Sequence, residues 1–202
     1  MSVIDTTRTP LELSGIGTAP SSIEDRATIE FEMEPQCHSN WCWAAVAASV
    51  AAYYDQGTYR RQCKIANQEL ERTDCCDSPC GADVDFNVTN VFASPLNRVG
   101  CFQRLARFKQ ATPAQVLEEL EARRPICVRT VWPEGGAHFL TIVGCWYDAE
   151  GTPMLALDDP FWGRSEYSYE QFSKHYQLLG GKWNDTYYTK QPSQLRASAE
   201  GS

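Results

Sequence analysis

The chain has no apolar run long enough to cross a bilayer and no glycine-rich phosphate-binding loop, so neither a membrane span nor nucleotide-driven work is expected of its 202 residues. Positive charge is scarce: 18 Lys and Arg stand against 26 Asp and Glu, a formal net charge of −8. Without basic runs, attraction to nucleic acid or to an anionic membrane surface is excluded, and the expected partner is a protein or peptide. Histidine is scarcer still, with three in all, so imidazole chemistry is confined to His38, His138 and His175. Cysteine is not scarce, and one of the nine stands out by its surroundings.

From Trp41 to Tyr54 the chain is apolar on every side except at Ser49. That length is too short for a membrane span and predicts a helix buried on all faces. Cys42 lies in its first turn, after the cap-forming Ser39 and Asn40, where unpaired amides and the positive end of the helix dipole favour the thiolate, the reactive form. Gln36 lies on the entering loop, where its side-chain amide can join the Cys42 backbone N–H in stabilising an oxyanion. A buried small hydrophobe is the usual role of a free cysteine, so Cys42 needs partners elsewhere in the chain.

A nucleophilic thiol requires an imidazole and a third group that fixes the ring. His38 is beside the thiol in the loop, and His175 falls in a polar segment, Tyr169 to Gln177, with helical character. His138 follows Gly135-Gly136-Ala137 and opens the apolar run Phe139 to Val143, which makes it the chosen base. The chain then reads as a hairpin: strand His138 to Tyr147, turn Asp148 to Gly151, strand Met154 to Leu157, ending in Asp158-Asp159-Pro160-Phe161-Trp162-Gly163. A carboxylate at the end of the second strand can return to the histidine at the start of the first. Alternation allows only one of the two aspartates to face His138.

The ordered set of Gln36, Cys42-Trp43, Gly-Gly-x-His138 and Asp-Pro-x-Trp162-Gly163 resembles papain-like cysteine proteases. The Cys42-to-His138 separation is shorter than papain's, so the chain is more similar to short bacterial forms, such as injected plant-pathogen effectors and double-glycine leader peptidases. The resemblance implies an α+β fold: a helical half with the cysteine on its central buried helix, and an antiparallel sheet half with histidine and acid. It implies that Cys42 is nucleophile, His138 acid and base, Gln36 oxyanion donor, and Asp159 the orienting acid, preferred to Asp158 because short bacterial relatives use the aspartate of an Asp-Pro pair. The expected activity is cleavage of a peptide bond in a protein or peptide, with no metal or organic cofactor and with a cognate inhibitor or immunity protein as a further partner. Trp162 is expected to shield the His138–Asp159 bond. Two alternatives use the same residues: deamidation or transamidation of a protein glutamine, and a papain-fold binding module without catalysis.

Other signals agree with one catalytic domain over residues 35–190. Thr112-Pro113-Ala114-Gln115 is a capping box that starts a helix through about Glu121, with Val116, Leu117 and Leu120 on one face. Ile126 to Trp132, Arg164 to Tyr167 and Lys182 to Tyr188 read as strands. Residues 1–34 read as a flexible polar segment and 191–202 as a disordered tail. Asn87-Val88-Thr89 matches a glycosylation acceptor and reads as ordinary loop or helix sequence.

Besides Cys42 there remain Cys37, Cys63, Cys75, Cys76, Cys80, Cys101, Cys127 and Cys145. An even remainder invites disulfides of undetermined pairing. Cys63, Cys75, Cys76 and Cys80 cluster at a loop that gains most from stapling, with a zinc site as the rival, while Cys127 and Cys145 fall on strands as core residues. Residues 1–34 carry neither an apolar signal core nor an arginine-rich transit pattern. Disulfides disfavour a reducing cytosol, so the expectation is synthesis in a bacterial cytoplasm followed by leaderless export.

Overall fold

The computed structural model describes residues 26–54 and 61–193. The helices are α1 (Cys42–Tyr54), α2 (Gln62–Glu69), α3 (Ala93–Arg98), α4 (Pro113–Glu121) and α5 (Tyr169–Lys174). The strands are β1 (Arg26–Thr28), β2 (Phe102–Ala106), β3 (Ile126–Val131), β4 (Ala137–Tyr147), β5 (Pro153–Asp159), β6 (Gly163–Ser168) and β7 (Lys182–Thr189). Every strand pairing is antiparallel, in a seven-stranded sheet of order β2-β7-β3-β4-β5-β6, with β1 joining β4 beyond the end of β3. The architecture is α+β, helices first and sheet second. No helix among the described residues is long and apolar enough to cross a membrane.

Helix α1 is the axis of the helical half, and its residues from Cys42 through Ala51 are all buried. Its many alanines let neighbouring elements approach on every side, so burial rather than an amphipathic stripe stabilises it. Ser49, its one polar interior residue, is satisfied: Oγ donates to the Ala45 carbonyl at 2.8 Å and accepts from the Glu34 N–H at 2.8 Å. Tyr54 ends the helix by joining its hydroxyl to Thr189 Oγ1 at 2.7 Å, tying α1 to β7. The helix starts one residue later than read from sequence, and neither Ser39 nor Asn40 caps it. Both instead bind Asn87: Asn40 N–H donates to Asn87 Oδ1, Asn40 Nδ2 to the Asn87 carbonyl, and Asn87 Nδ2 to Ser39 Oγ, each at 2.9 Å.

Helix α4 carries the expected capping box, with Thr112 and Gln115 exchanging side-chain and backbone bonds and Pro113 in the first turn. The reading of residues 1–34 as one flexible segment needs correction at its end. Ala27, Ile29 and Phe31 are buried, Arg26 to Thr28 pair with β4, and Ile29 N–H donates to the Val143 carbonyl at 2.9 Å. The buried residues recur every second position, a strand period in a stretch dominated by charge. Residues 1–25 and 194–202, including most of the expected tail, lie outside the described residues.

Helix α5 stops at Lys174, short of the predicted Gln177. His175 takes φ −151° and ψ 57°, and Tyr176 then exchanges backbone bonds with Gly181 at 2.7 and 2.8 Å. A side chain at Gly181 would place its Cβ 2.2 Å from the Trp132 ring, so this tight turn accepts only glycine.

Cys37 is joined to Cys80 and Cys63 to Cys76, while Cys42, Cys75, Cys101, Cys127 and Cys145 are buried and belong to neither disulfide. The zinc alternative fails here, because three of the four clustered cysteines are consumed in disulfides. Cys75 points into the core instead, 1% exposed. Cys127 and Cys145 are core residues on β3 and β4, and burial pushes both thiols up to about 12, which keeps them protonated and inert.

Candidate active site

The segment Pro35 to Asn40 that delivers Cys42 is held from four directions. Gln62 of α2 accepts from the Cys37 N–H at 2.7 Å and donates to the Pro35 carbonyl at 2.8 Å. The Cys37–Cys80 disulfide and a bond from Gly81 N–H to the Cys37 carbonyl at 2.8 Å fix a second side. Asn87 holds Ser39 and Asn40, and the indoles of Trp41 and Trp43 donate to the Phe86 and Val88 carbonyls, each at 3.0 Å. Finally, Gln36 N–H donates to the Pro160 carbonyl at 2.9 Å, linking this segment to the turn after β5 in the sheet half. The first helical amide, that of Cys42, has no backbone acceptor among the described residues and remains a donor at the cleft.

Opposite Cys42, the turn at Gly135 and Gly136, with φ of 98° and 88°, leads into β4 and presents His138. His138 is 7% exposed and its Nε2 lies 2.8 Å from Asp159 Oδ2, with Cys42 among the groups that act on its ring. With Nε2 engaged by the carboxylate, Nδ1 is the ring nitrogen left for the thiol. Burial alone would drive the proton off the ring, but the bonds to Asp159 and Cys42 and their charge outweigh it and raise the imidazole from 6.5 to about 9.

Asp159 is saturated. Its Oδ1 accepts from the Phe161 and Trp162 N–H groups at 2.7 and 2.9 Å, and its Oδ2 accepts from His138 and from the Tyr176 hydroxyl at 2.7 Å. Tyr176 is fully buried, and burial with the Asp159 charge beside it pushes its hydroxyl far above the ordinary tyrosine range, so it donates at every working pH. The sequence gives no signal for Tyr176: it sits past a helix end, and only the turn back to Gly181 carries its hydroxyl to the carboxylate.

Asp158 does not join this cluster. Alternation along β5 sends it to the other face, where Oδ2 accepts from Arg164 Nη2 at 2.6 Å, and the same nitrogen donates to the Phe31 carbonyl at 2.7 Å. Trp162 stands edge-on to the His138 ring, centroids 5.0 Å apart, and packs on Trp132 and Tyr176 at 5.8 and 5.9 Å. It therefore covers the His138–Asp159 pair as expected, while 41% exposed itself.

Gln36 is near the thiol but turned inward. Its Nε2 donates to the His38 carbonyl at 3.0 Å and to the Ser39 carbonyl at 2.8 Å, so both amide protons are taken up by the loop. His38 is buried against the rings of Trp41 and Phe86, at 4.5 and 5.6 Å, and His175 is exposed at the end of α5. Neither joins the cluster. Among the described residues no group of three or more His, Cys, Asp or Glu is placed to hold a metal ion.

A cleft of about 430 Å³ opens beside Cys42, between the segment Thr89 to Val91 and the sheet residues Arg129, Ala137 and Phe139. A larger recess of about 550 Å³ lies near Phe31, Tyr53 and Arg164, remote from the thiol-bearing residue. The chemistry therefore belongs to the smaller cleft. The arrangement can activate a thiol, shuttle its proton through a ring fixed by a buried carboxylate, and accept an extended chain alongside.

A family model described as papain-like cysteine protease AvrRpt2 matches residues 23–177, from just before the first described strand to just past Tyr176. No curated protein matches the chain.

Proposed function

Because this chain belongs to the AvrRpt2 family of papain-like cysteine proteases, which are hydrolases acting on proteins, we propose that it cleaves a peptide bond through Cys42, His138 and Asp159. The observation that carries this reading is the His138 ring held by Asp159, whose four carboxylate hydrogen bonds are filled, with the Cys42 thiol acting on the same ring. The Cys42 proton passes to His138 Nδ1, and Sγ attacks the substrate carbonyl carbon. The oxygen takes the negative charge facing the Cys42 N–H; Gln36 adds a second donor when its amide exchanges one loop carbonyl for the oxyanion. His138 then gives its proton to the departing amine, the C–N bond breaks, and a thioester remains on Cys42. Water, losing a proton to His138, attacks the thioester carbon and releases the acid. Asp159 holds the ring in register throughout, itself fixed by the Tyr176 hydroxyl and the two turn amides.

The two disulfides favour an oxidising destination, consistent with a protease that acts after leaving the cell that makes it. The test is intact mass after brief exposure to a papain-directed epoxide, followed by digestion of a peptide library, with wild type, Cys42→Ala and His138→Ala compared. Single-site labelling and new peptide termini, both lost in the variants, are expected. Ammonia release with an unbroken substrate chain would replace hydrolysis by glutamine deamidation, and absence of both label and turnover would leave a binding module.

A further inference from the structure

The cleft beside Cys42 carries one charged side chain, Arg129, among walls supplied by Val91, Ala137 and Phe139. Arg129 stands on β3, a central strand, between Phe139 of β4 and Asp185 of β7 in the sheet register. Its ion pair among the described residues is a long one: Nη1 lies 3.4 Å from Asp185 Oδ2, whereas Arg124, Arg164 and Arg72 reach their carboxylates at 2.6, 2.6 and 2.7 Å. Asp185 is occupied elsewhere, accepting on Oδ1 from the Phe108 N–H at 2.9 Å and from Asn184 Nδ2 at 3.0 Å. The guanidinium is thus steered by Asp185 but not saturated by it. One-third of its side-chain surface stays open (33%), and the donors not engaged by Asp185 remain for whatever enters the cleft.

The direction of the substrate follows from the proton path. The leaving amine must lie within reach of His138, on the side covered by Trp162, so the residues after the scissile bond run there. On that path the residues before it lie along the cleft lined by Val91, Phe139 and Arg129. Building on the protease reading above, we propose that Arg129 selects an acidic side chain, Asp or Glu, in the acyl half of the substrate. The apolar walls carry the methylenes of that side chain, and the planar guanidinium meets its carboxylate in a partly dehydrated recess, where a charge-assisted bond is about twice as strong as a neutral one.

The test uses quenched fluorescent peptides in which each residue preceding the cleaved bond is varied in turn through Glu, Gln, Asp, Asn, Lys and Leu. At one of those positions Glu is expected to exceed Gln in kcat/KM by about tenfold or more, the yield of one charge-assisted hydrogen bond. The ratio should fall towards one in Arg129→Gln. Because it is taken within one preparation, a loss of folded enzyme lowers both rates and leaves the ratio readable. Peptides cut with equal rates for Glu and Gln at every position overturn this inference and leave the protease reading standing, as does a wild-type preference unchanged in Arg129→Gln. No cut peptide and no epoxide label on Cys42 would remove both.

Discussion

Replacing His138 by Gln should change how stability depends on pH in a way that can be worked out beforehand. The imidazole is raised from 6.5 to about 9 in the folded chain, so its contribution is fully present below pH 6.5 and is lost as pH rises through about 9. That rise corresponds to about 3 kcal/mol of stabilisation, undiluted by solvent because the ring is nearly fully buried. Urea unfolding of wild type and His138→Gln at a series of pH values isolates it, since every other titrating group is common to both. The gap between them should be widest near pH 6 and narrow by about 3 kcal/mol by pH 10. In a Cys42→Ala background the ring keeps Asp159 but loses the thiol, so the narrowing should start at lower pH and be smaller. A gap independent of pH, or one that widens on the alkaline side, would refute the reasoning. In catalysis the same group predicts kcat/KM falling as pH rises through about 9, because the leaving amine then lacks its proton donor.

Tyr176→Phe keeps the ring and its packing but removes one donor from Asp159; a loss of about 1.5–3 kcal/mol is expected for a bond to a charged acceptor, read by urea unfolding. Asp159→Asn should abolish most activity. Asp158→Asn should weaken the Arg164 contact and be read mainly as lower thermal stability, with its active-site titration by iodoacetamide unchanged. Alkylation of denatured protein without reductant should mark five cysteines, those outside the two disulfides, and reductant should expose Cys37, Cys63, Cys76 and Cys80. Loss of the bridges over separations of 13 and 43 residues is expected to cost about 3 and about 4 kcal/mol by loop-closure entropy, an upper range that chemical denaturation of reduced protein checks.

The strongest sequence signals were those set by local chemistry. The apolar stretch after Asn40 can only be buried, the Thr112 to Gln115 cap specifies its helix within four residues, and the hairpin from His138 to Asp159 follows from two apolar stretches on either side of a turn. Less was legible where tertiary partners decide. Strand β2 has no inward alternation of apolar residues, and its Arg104 lies over the Tyr188 ring at 3.2 Å. The functions of Asn87 and Tyr176 depend on which loop each hydroxyl or amide meets, which spacing does not encode. The same holds for Gln36. Its position before Cys42 was readable, yet the direction of its amide depends on the His38 and Ser39 carbonyls.

The backbone bond from Gln36 to the Pro160 carbonyl crosses between the two halves of the molecule, joining the approach to the nucleophile with the residue that follows the acid. Each half alone is harmless: one holds a thiol without a base, the other a base without a thiol. Any breathing motion that parts them breaks this strap and separates sulfur from imidazole in the same event. On the proposed mechanism a molecule caught half-open during folding is therefore silent rather than indiscriminate until the two halves close.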